Sequence, residues 1–212
     1  MPSQRAARVA LGLLDEVVGV LKEHEDALGA LDAVAGDGDH GQGMVLGVVG
    51  AAERGHEAVT AGVGLGTLLR ELGEAWEESA GGTSGALWGA ALMAAGDRLG
   101  DADAPTPGEV AEAVSSAVDG MAQTGKAELG EKTMMDAAIP FARTLTERVA
   151  AGAAITDAWA AAARVATEAA AATASMQATK GRAKTHGEVS LGHADPGATS
   201  FALVCTTLIK EA

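Results

Sequence analysis

The chain has 212 residues, of which 48% are apolar, 21% charged and only 2% aromatic. This composition favours helices over strands, because sheets depend on β-branched and aromatic side chains. The 29 acidic residues outnumber the 15 basic ones and give a net charge of −14, which argues against nucleic-acid and anionic membrane partners. A phosphate ligand would be expected to bind such a chain through a metal cation.

The cysteine content and the hydropathy predict a cytoplasmic protein. The single cysteine, Cys205, excludes an internal disulfide and a thiolate zinc site, and it fits a reducing compartment. The N-terminal segment lacks the pattern of a signal peptide, and no apolar run reaches the roughly 18 residues of a membrane-spanning helix.

Apolar residues recur at helical spacing along the whole chain. Thr106-Pro107-Gly108-Glu109 predicts a capping box, and Asp195-Pro196 predicts a similar start for the last helix. Pro140 predicts a late start or a bend in the sixth helix. No linker or internal repeat divides the chain, so we expect one all-α domain over residues 1–212. The predicted helices lie near residues 3–23, 41–56, 63–79, 85–99, 107–124, 135–150, 157–178 and 196–211.

An acidic loop follows the first helix. Asp37 and Asp39 flank a glycine and would point the same way in an extended segment, and Asp32 lies just upstream. Converging carboxylates repel one another unless a cation joins them, and oxygen ligands suit Mg²⁺, Mn²⁺ or Ca²⁺. The simpler alternative is a Gly/Asp turn before a helix that tolerates acid in its first turn. The spacing does not fit an EF-hand.

A glycine-rich turn at Gly81–Gly85 precedes an apolar helix. Free amides at a helix start, together with the hydroxyls of Thr83 and Ser84, predict an anion site. An ordinary helix–helix turn with Ser/Thr caps explains the same residues. The segment is not a Walker P-loop, because no glycine-lysine-Ser/Thr run occurs in the chain.

Two further loops leave alternatives open. Met134 and Met135 start the sixth helix and suit either the core or a flat apolar slot for a ring. The long connection before the last helix carries Lys180, Arg182 and Lys184, which suit either a functional loop or a solvated cluster of cations.

Taken in order, these four loops resemble the nucleotide-binding L subunit (DhaL) of dihydroxyacetone kinases. The resemblance extends from about Leu11 to Leu208. It rests on four matches: Gly36-Asp37-Gly38-Asp39-His40-Gly41, Gly81-Gly82-Thr83-Ser84-Gly85, Gly130-Glu131-Lys132-Thr133-Met134, and Gly181-Arg182-Ala183 leading to Gly192-His193-Ala194-Asp195-Pro196-Gly197-Ala198-Thr199-Ser200.

The resemblance implies an up-and-down barrel of eight antiparallel helices that holds ADP or ATP in loops at one end. It implies that three aspartates bind two Mg²⁺ ions. These aspartates map to Asp32, Asp37 and Asp39. The family's nucleotide-binding positions map to His40, Gly82, Thr83, Ser84, Gly125, Thr133, Met134, Arg182, Asp195 and Gly197. The role of His40 stays open between touching phosphate and capping the second helix.

Three positions depart from the family pattern and none belongs to the implied metal site. Glu131 stands where an aspartate is common, Thr185 where an aromatic is common, and Val189 where an arginine is expected. The last two bear on how the final loop would meet a partner subunit.

The resemblance also implies half of an enzyme. Family members hold the ketose on a histidine of a separate α/β subunit (DhaK), and no such domain is visible here. The expected function is phosphoryl transfer to that ketose, either from exchanging ATP or from fixed ADP that a phosphotransferase-system protein rephosphorylates. A nucleotide-loaded regulator of a transcription factor and a purely structural bundle are the alternatives. The pattern does not distinguish dihydroxyacetone from a four-carbon ketose such as erythrulose.

Overall fold

The computed structural model of the chain describes residues 4–181, 183–184 and 188–209. These residues form eight α-helices and a short 3₁₀ turn, and they contain no strand. The helices are α1 (Arg5–Asp32), α2 (His40–Ala61), α3 (Leu65–Ala80), α4 (Gly82–Leu99), α5 (Pro107–Gly125), α6 (Met135–Ala150), α7 (Ile155–Ala172) and α8 (Pro196–Thr207), with the 3₁₀ turn at Thr173–Ser175 after α7.

The helices form a closed ring. Each helix packs against the next one in the chain, and α8 packs against α1. Short connections make consecutive helices antiparallel from α1 to α5 and from α6 to α7, whereas the long segment 173–195 joins α7 to α8. The predicted all-α class and the up-and-down arrangement are therefore confirmed. Within the described residues, no helix has the length and apolarity needed to cross a membrane.

The interior is filled by small residues and a chain of aromatic rings. The rings follow one another from Trp76 through Trp88, Phe201 and Phe141 to Trp159, with centroids 5.0–5.9 Å apart. These are all five aromatic residues of the sequence. Elsewhere the helices approach closely through alanine and glycine, which explains how a chain with so few aromatics forms a packed core.

The predicted capping signals are present. The Thr106 side chain accepts a hydrogen bond from the Glu109 amide, and Glu109 accepts one from the Thr106 amide, while Pro107 occupies the first helical position. Asp195 caps α8 by accepting from the Ala198 amide at 2.7 Å. α6 begins at Met135, as the periodicity predicted, and contains Pro140, so the expectation that this proline delays the start of the helix is wrong.

Several predicted helix boundaries are wrong. α1 continues to Asp32 rather than ending at residue 23, and α2 continues to Ala61 rather than residue 56. α4 begins at Gly82, so most of the predicted glycine-rich turn is the first turn of a helix. α7 ends at Ala172, before the predicted residue 178, and continues as the 3₁₀ turn, where the Thr173 side chain accepts from the Asp195 amide beside the start of α8.

Candidate functional site

Four helices begin, and three end, around one cavity of about 630 Å³. In an up-and-down ring the even-numbered helices all start at the same end, and the N-terminus of each carries partial positive charge and unpaired amides. Four such termini around one cavity favour an anionic ligand. The helix starts at the cavity are His40, Gly82, Met135 and Pro196, and the helix ends are Asp32, Ala80 and Gly125.

The three acidic-loop carboxylates converge at the mouth of this cavity. Asp32, Asp37 and Asp39 each offer one ligand atom, and these atoms lie within 4.8 Å of one another. Asp32 is partly buried and its Oδ2 accepts a hydrogen bond from the Gly38 amide at 2.9 Å. That bond closes the loop, and Gly38 permits it by taking a left-handed backbone conformation with φ of 79°.

The donor set fits a hard divalent cation. All three groups supply carboxylate oxygen, and their mutual repulsion at this spacing is relieved when a cation joins them. No thiolate or imidazole belongs to the cluster, which argues against zinc.

The glycine-rich segment lines the same cavity as the acidic loop. Gly81 and Gly82 both have positive φ, 58° and 59°, so the chain reverses sharply between α3 and α4. Gly82, Thr83 and Ser84 form the first turn of α4, where backbone amides have no partner within the helix. Their amides, together with the Thr83 hydroxyl, therefore form a wall of the cavity that suits an anion.

His40 connects this wall to α8 by a directed chain of hydrogen bonds. Ser200 Oγ donates to the Gly197 carbonyl at 3.0 Å and so accepts from His40 Nε2 at 2.9 Å. In a neutral ring with its proton on Nε2, Nδ1 accepts from Ser84 Oγ at 3.3 Å. Burial lowers the pKa of His40, against the opposing effect of Asp32 and Asp39, which agrees with this neutral form.

Another wall of the cavity is formed by the segment before α6. Met134 and Met135 are buried, and both line the cavity with Thr133 and Gly125. Both methionines belong to the core, as one of the two interpretations of the sequence expected, and both also face the cavity, so the slot for a ring stays a prediction. A flat ring is the kind of ligand group that such a methionine-lined wall accommodates.

Asp195 and Gly197 complete the cavity at the start of α8. Gly197 packs against Met134, since a Cβ on this glycine would lie 3.3 Å from the Met134 Cβ. Asp195 is half-buried, and the loss of solvation raises its pKa to about 7, with Asp136 adding to the rise while the Ala198 amide and Lys132 oppose it.

The structure brings together nearly every residue singled out from the sequence. Asp37 belongs to the carboxylate cluster without lining the cavity, and Arg182 lies outside the described residues. The predicted residues that line the cavity are Asp32, Asp39, His40, Gly82, Thr83, Ser84, Gly125, Thr133, Met134, Asp195 and Gly197.

The sequence interpretation missed Lys132 and Asp136. The buried Asp136 carboxylate accepts from the amides of Gly130 at 2.6 Å and Thr133 at 2.7 Å, which folds the turn before α6. Lys132 lies in that turn with its ammonium buried, and desolvation lowers its pKa while Asp195 opposes the shift. The acid in the first turn of α6 was the available signal, but it pointed only to a helix start.

Comparison with known proteins agrees with this geometry. A sequence profile of the DAK2 domain matches residues 34–210. The chain belongs to the DAK2 domain family. It is 35% identical to the ADP-binding subunit DhaL of the PEP-dependent dihydroxyacetone kinase of Escherichia coli, over 91% of each chain. The family resemblance read from the four loops is thereby confirmed.

Other DAK2 relatives are longer enzymes. The chain is 47% identical to the D-erythrulose kinase of Mycolicibacterium smegmatis, over 95% of this chain but 35% of that protein. Its fold matches a dihydroxyacetone kinase of C. freundii, solved in complex with AMP-PNP and Mg²⁺, with a TM-score of 0.75 and 28% identity, over all of this chain and 35% of that one. The chain thus spans about a third of these relatives, which are named kinases.

Proposed function

We propose that this DAK2 domain is the nucleotide-binding and phosphoryl-transferring part of a ketose kinase, acting as a single domain over residues 1–212. The observation that carries the proposal is the cavity itself, where four helix N-termini face a cluster of three carboxylates. One wall suits phosphates and the other suits a flat base, so their combination suits a nucleotide with a divalent cation.

Asp32, Asp37 and Asp39 would hold Mg²⁺, and we propose two ions, as the family resemblance implies. Bound there, Mg²⁺ would neutralise the charge that develops on phosphate oxygens during transfer. The cation also reconciles a protein of net charge −14 with a polyanionic ligand.

The chain's own groups would orient the donor. Amides of Gly82, Thr83 and Ser84 bind phosphate oxygens, and neutral His40 holds the Ser84 hydroxyl in place. Gly125, Thr133 and Met134 contact the base. Asp195, Gly197 and Arg182 close over the nucleotide. Catalysis would then come from positioning and electrostatics rather than from a covalent intermediate on this chain.

The acceptor would come from a partner subunit. Phosphoryl transfer requires the attacking hydroxyl about 3–3.5 Å from phosphorus and in line, and the described residues supply groups only for the donor. Exposed apolar side chains on the segments around the cavity, Leu46, Leu129, Val189 and Leu191, suit a docking face for an α/β subunit that carries the ketose.

The donor and the ketose are proposed from the relatives. Erythrulose kinases are 43–47% identical to the chain, whereas DhaL subunits are 30–35% identical. We therefore favour a four-carbon ketose, with exchanging ATP as donor rather than ADP rephosphorylated by a phosphotransferase-system protein. We place the activity in the cytoplasm, where Mg-ATP and reduced thiols such as Cys205 are maintained.

A mixing experiment tests the proposal. The purified chain is incubated with Mg-ATP and erythrulose or dihydroxyacetone, with and without a ketose-binding K subunit of a dihydroxyacetone or erythrulose kinase. We expect background turnover from the chain alone and an increase of at least a hundredfold with the partner. Strong kinase activity without a partner would contradict the proposal that a separate subunit holds the ketose. Failure of Mg-ADP and Mg-ATP to bind would contradict the whole assignment.

A further inference from the structure

Lys132 has an unusual environment for a lysine beside a ligand cavity. Its side chain is 4% exposed, and its backbone has φ of 60°, a left-handed conformation that non-glycine residues rarely adopt. Such a conformation persists only where the surroundings enforce it, and it often marks a functional position. Here Asp136 enforces it by binding the amides on both sides of the turn, at Gly130 and Thr133.

The Lys132 ammonium makes all of its hydrogen bonds to backbone carbonyls of the protein. Its nitrogen donates to the carbonyls of Met176 at 3.0 Å, Ser190 at 2.5 Å and His193 at 2.8 Å. A lysine ammonium has three N–H donors, so three carbonyls satisfy it completely. A lysine lining a nucleotide cavity is commonly a phosphate ligand, but this one has no donor left for a phosphate.

The three carbonyls belong to the segment that leads into α8. Met176 lies just after α7, while Ser190 and His193 lie just before Asp195. Two backbone hydrogen bonds also hold this segment in place. The Gly192 amide donates to the Ala174 carbonyl at 2.8 Å, and the Thr179 amide donates to the Glu131 carbonyl at 3.2 Å. Lys132 therefore makes three of the hydrogen bonds that hold this segment against the turn before α6, beside the contact between Thr179 and Glu131.

These hydrogen bonds lie between two parts of the cavity lining, the Thr133–Met134 wall and the Asp195–Gly197 wall. Lys132 immediately precedes Thr133 and Met134, and His193 lies two residues before Asp195. The walls touch where Gly197 packs against Met134. A change in the length or donor number of the residue at 132 would shift one wall relative to the other.

We propose that Lys132 is a positioning residue that sets the spacing between the Thr133–Met134 wall and the Asp195–Gly197 wall by binding three backbone carbonyls. The consequence for nucleotide affinity rests on the proposed function, whereas the consequence for the segment before α8 does not. The two are tested separately.

The first test uses the ligand-free protein. Hydrogen exchange of the Gly192 and Thr179 amides is followed by NMR in the wild type and in Lys132→Met, with Lys22→Met as the control because Lys22 is exposed on α1. We expect exchange at least tenfold faster in Lys132→Met and unchanged in Lys22→Met. Unchanged exchange in Lys132→Met would overturn the proposal, whether or not the protein binds a nucleotide.

The second test measures affinity for Mg-ADP. We expect the Kd to rise at least tenfold in Lys132→Met while Mn²⁺ binding to the aspartate cluster, measured without nucleotide, stays within twofold. A weaker Kd together with unchanged hydrogen exchange would show that Lys132 contacts the nucleotide directly and would overturn the positioning role. A wild type that binds no nucleotide would instead contradict the proposed function and leave the exchange test decisive.

Lys132→Gly guards against a variant that fails to fold, because glycine adopts the left-handed conformation without strain. The side chain that it removes corresponds to n-butylammonium. We expect added n-butylammonium to slow the Gly192 and Thr179 exchange of this variant, and tetramethylammonium, which has no N–H donor, to have no effect. Equal effects of the two cations would contradict a role for the three hydrogen bonds.

Discussion

Asp37 and Asp39 are exposed, yet each has a ligand oxygen within 4.8 Å of the other and of Asp32. Exposure on the solvent side leaves room for a cation and for the phosphate oxygens that would share it. Asp39 also directly precedes α2, so the start of this helix fixes the position of its carboxylate. A local Asp-Gly-Asp motif thus becomes a possible metal site only because Asp32, at the end of α1, is held beside it.

We predict that Asp37→Asn or Asp39→Asn abolishes the Mg²⁺-dependent part of nucleotide binding, because a neutral amide is a poor Mg²⁺ ligand. In the wild type, Mg-ADP at ~100 times its Kd should stabilise the fold by roughly 2.7 kcal/mol, and ADP with EDTA should stabilise it far less. Thermal unfolding measures both. Asp119→Asn, an exposed change on α5, should behave as the wild type. Equal melting temperatures with and without Mg²⁺ in the wild type would refute the metal assignment.

Asp195 gives a pH dependence whose sign follows from its burial. Its pKa is about 7 in the folded protein, against roughly 3.9 for an unfolded aspartate. Between pH 4 and 7 the folded state therefore binds more protons than the unfolded state, and this group's contribution to stability falls as the pH rises. Above pH 7 the contribution stays constant.

Asp195→Asn isolates this effect, since asparagine can also cap a helix. We expect the free energy of unfolding of the variant, minus that of the wild type, to increase from pH 4 to pH 7 and then level off. Urea unfolding of the ligand-free protein in EDTA measures the difference. A difference that does not change with pH would show that Asp195 is not desolvated.

At the scale of elements, α2 starts in close contact with α1. A Cβ on Gly41 would lie 2.0 Å from the Glu25 carbonyl oxygen, a backbone atom that cannot move without moving α1. This contact lies in the part of α1 beyond residue 23, where polar residues break the apolar periodicity. Of residues 24–32 only Leu28 is buried, so packing against α2 rather than an apolar stripe extends the helix to Asp32.

We predict that Gly41→Ala destabilises the fold by about 2 kcal/mol or more, because the new methyl group overpacks the α1–α2 contact. Gly43→Ala is the matched control: it lies in the same helix, and a Cβ there meets nothing within 4 Å. That change should be neutral or stabilise by up to ~1 kcal/mol through helix propensity. Denaturant unfolding compares them, and a similar free energy of unfolding in the two variants would contradict the close approach.

At the scale of the whole molecule, the ring topology determines where the site lies. Even-numbered helices that all start at one end place four positive helix termini around the cavity, beside the carboxylates that end α1 and precede α2. The acidic net charge is therefore compatible with a cavity that suits an anion, because the attraction is local while the excess acid is distributed over the surface.

The sequence by itself determined the helices with strong apolar periodicity, the caps at Thr106 and Asp195, and the residue types of the four loops, because each depends on neighbours within a few positions. The family and most of the cavity lining followed from those loops. Only the tertiary structure decided the hydrogen bonds from Ser84 through His40 to Ser200, of which His40 and Ser200 are 160 positions apart. The same holds for the three carbonyls around Lys132. It also decided the raised pKa of Asp195, because burial depends on how the ring closes rather than on any local pattern.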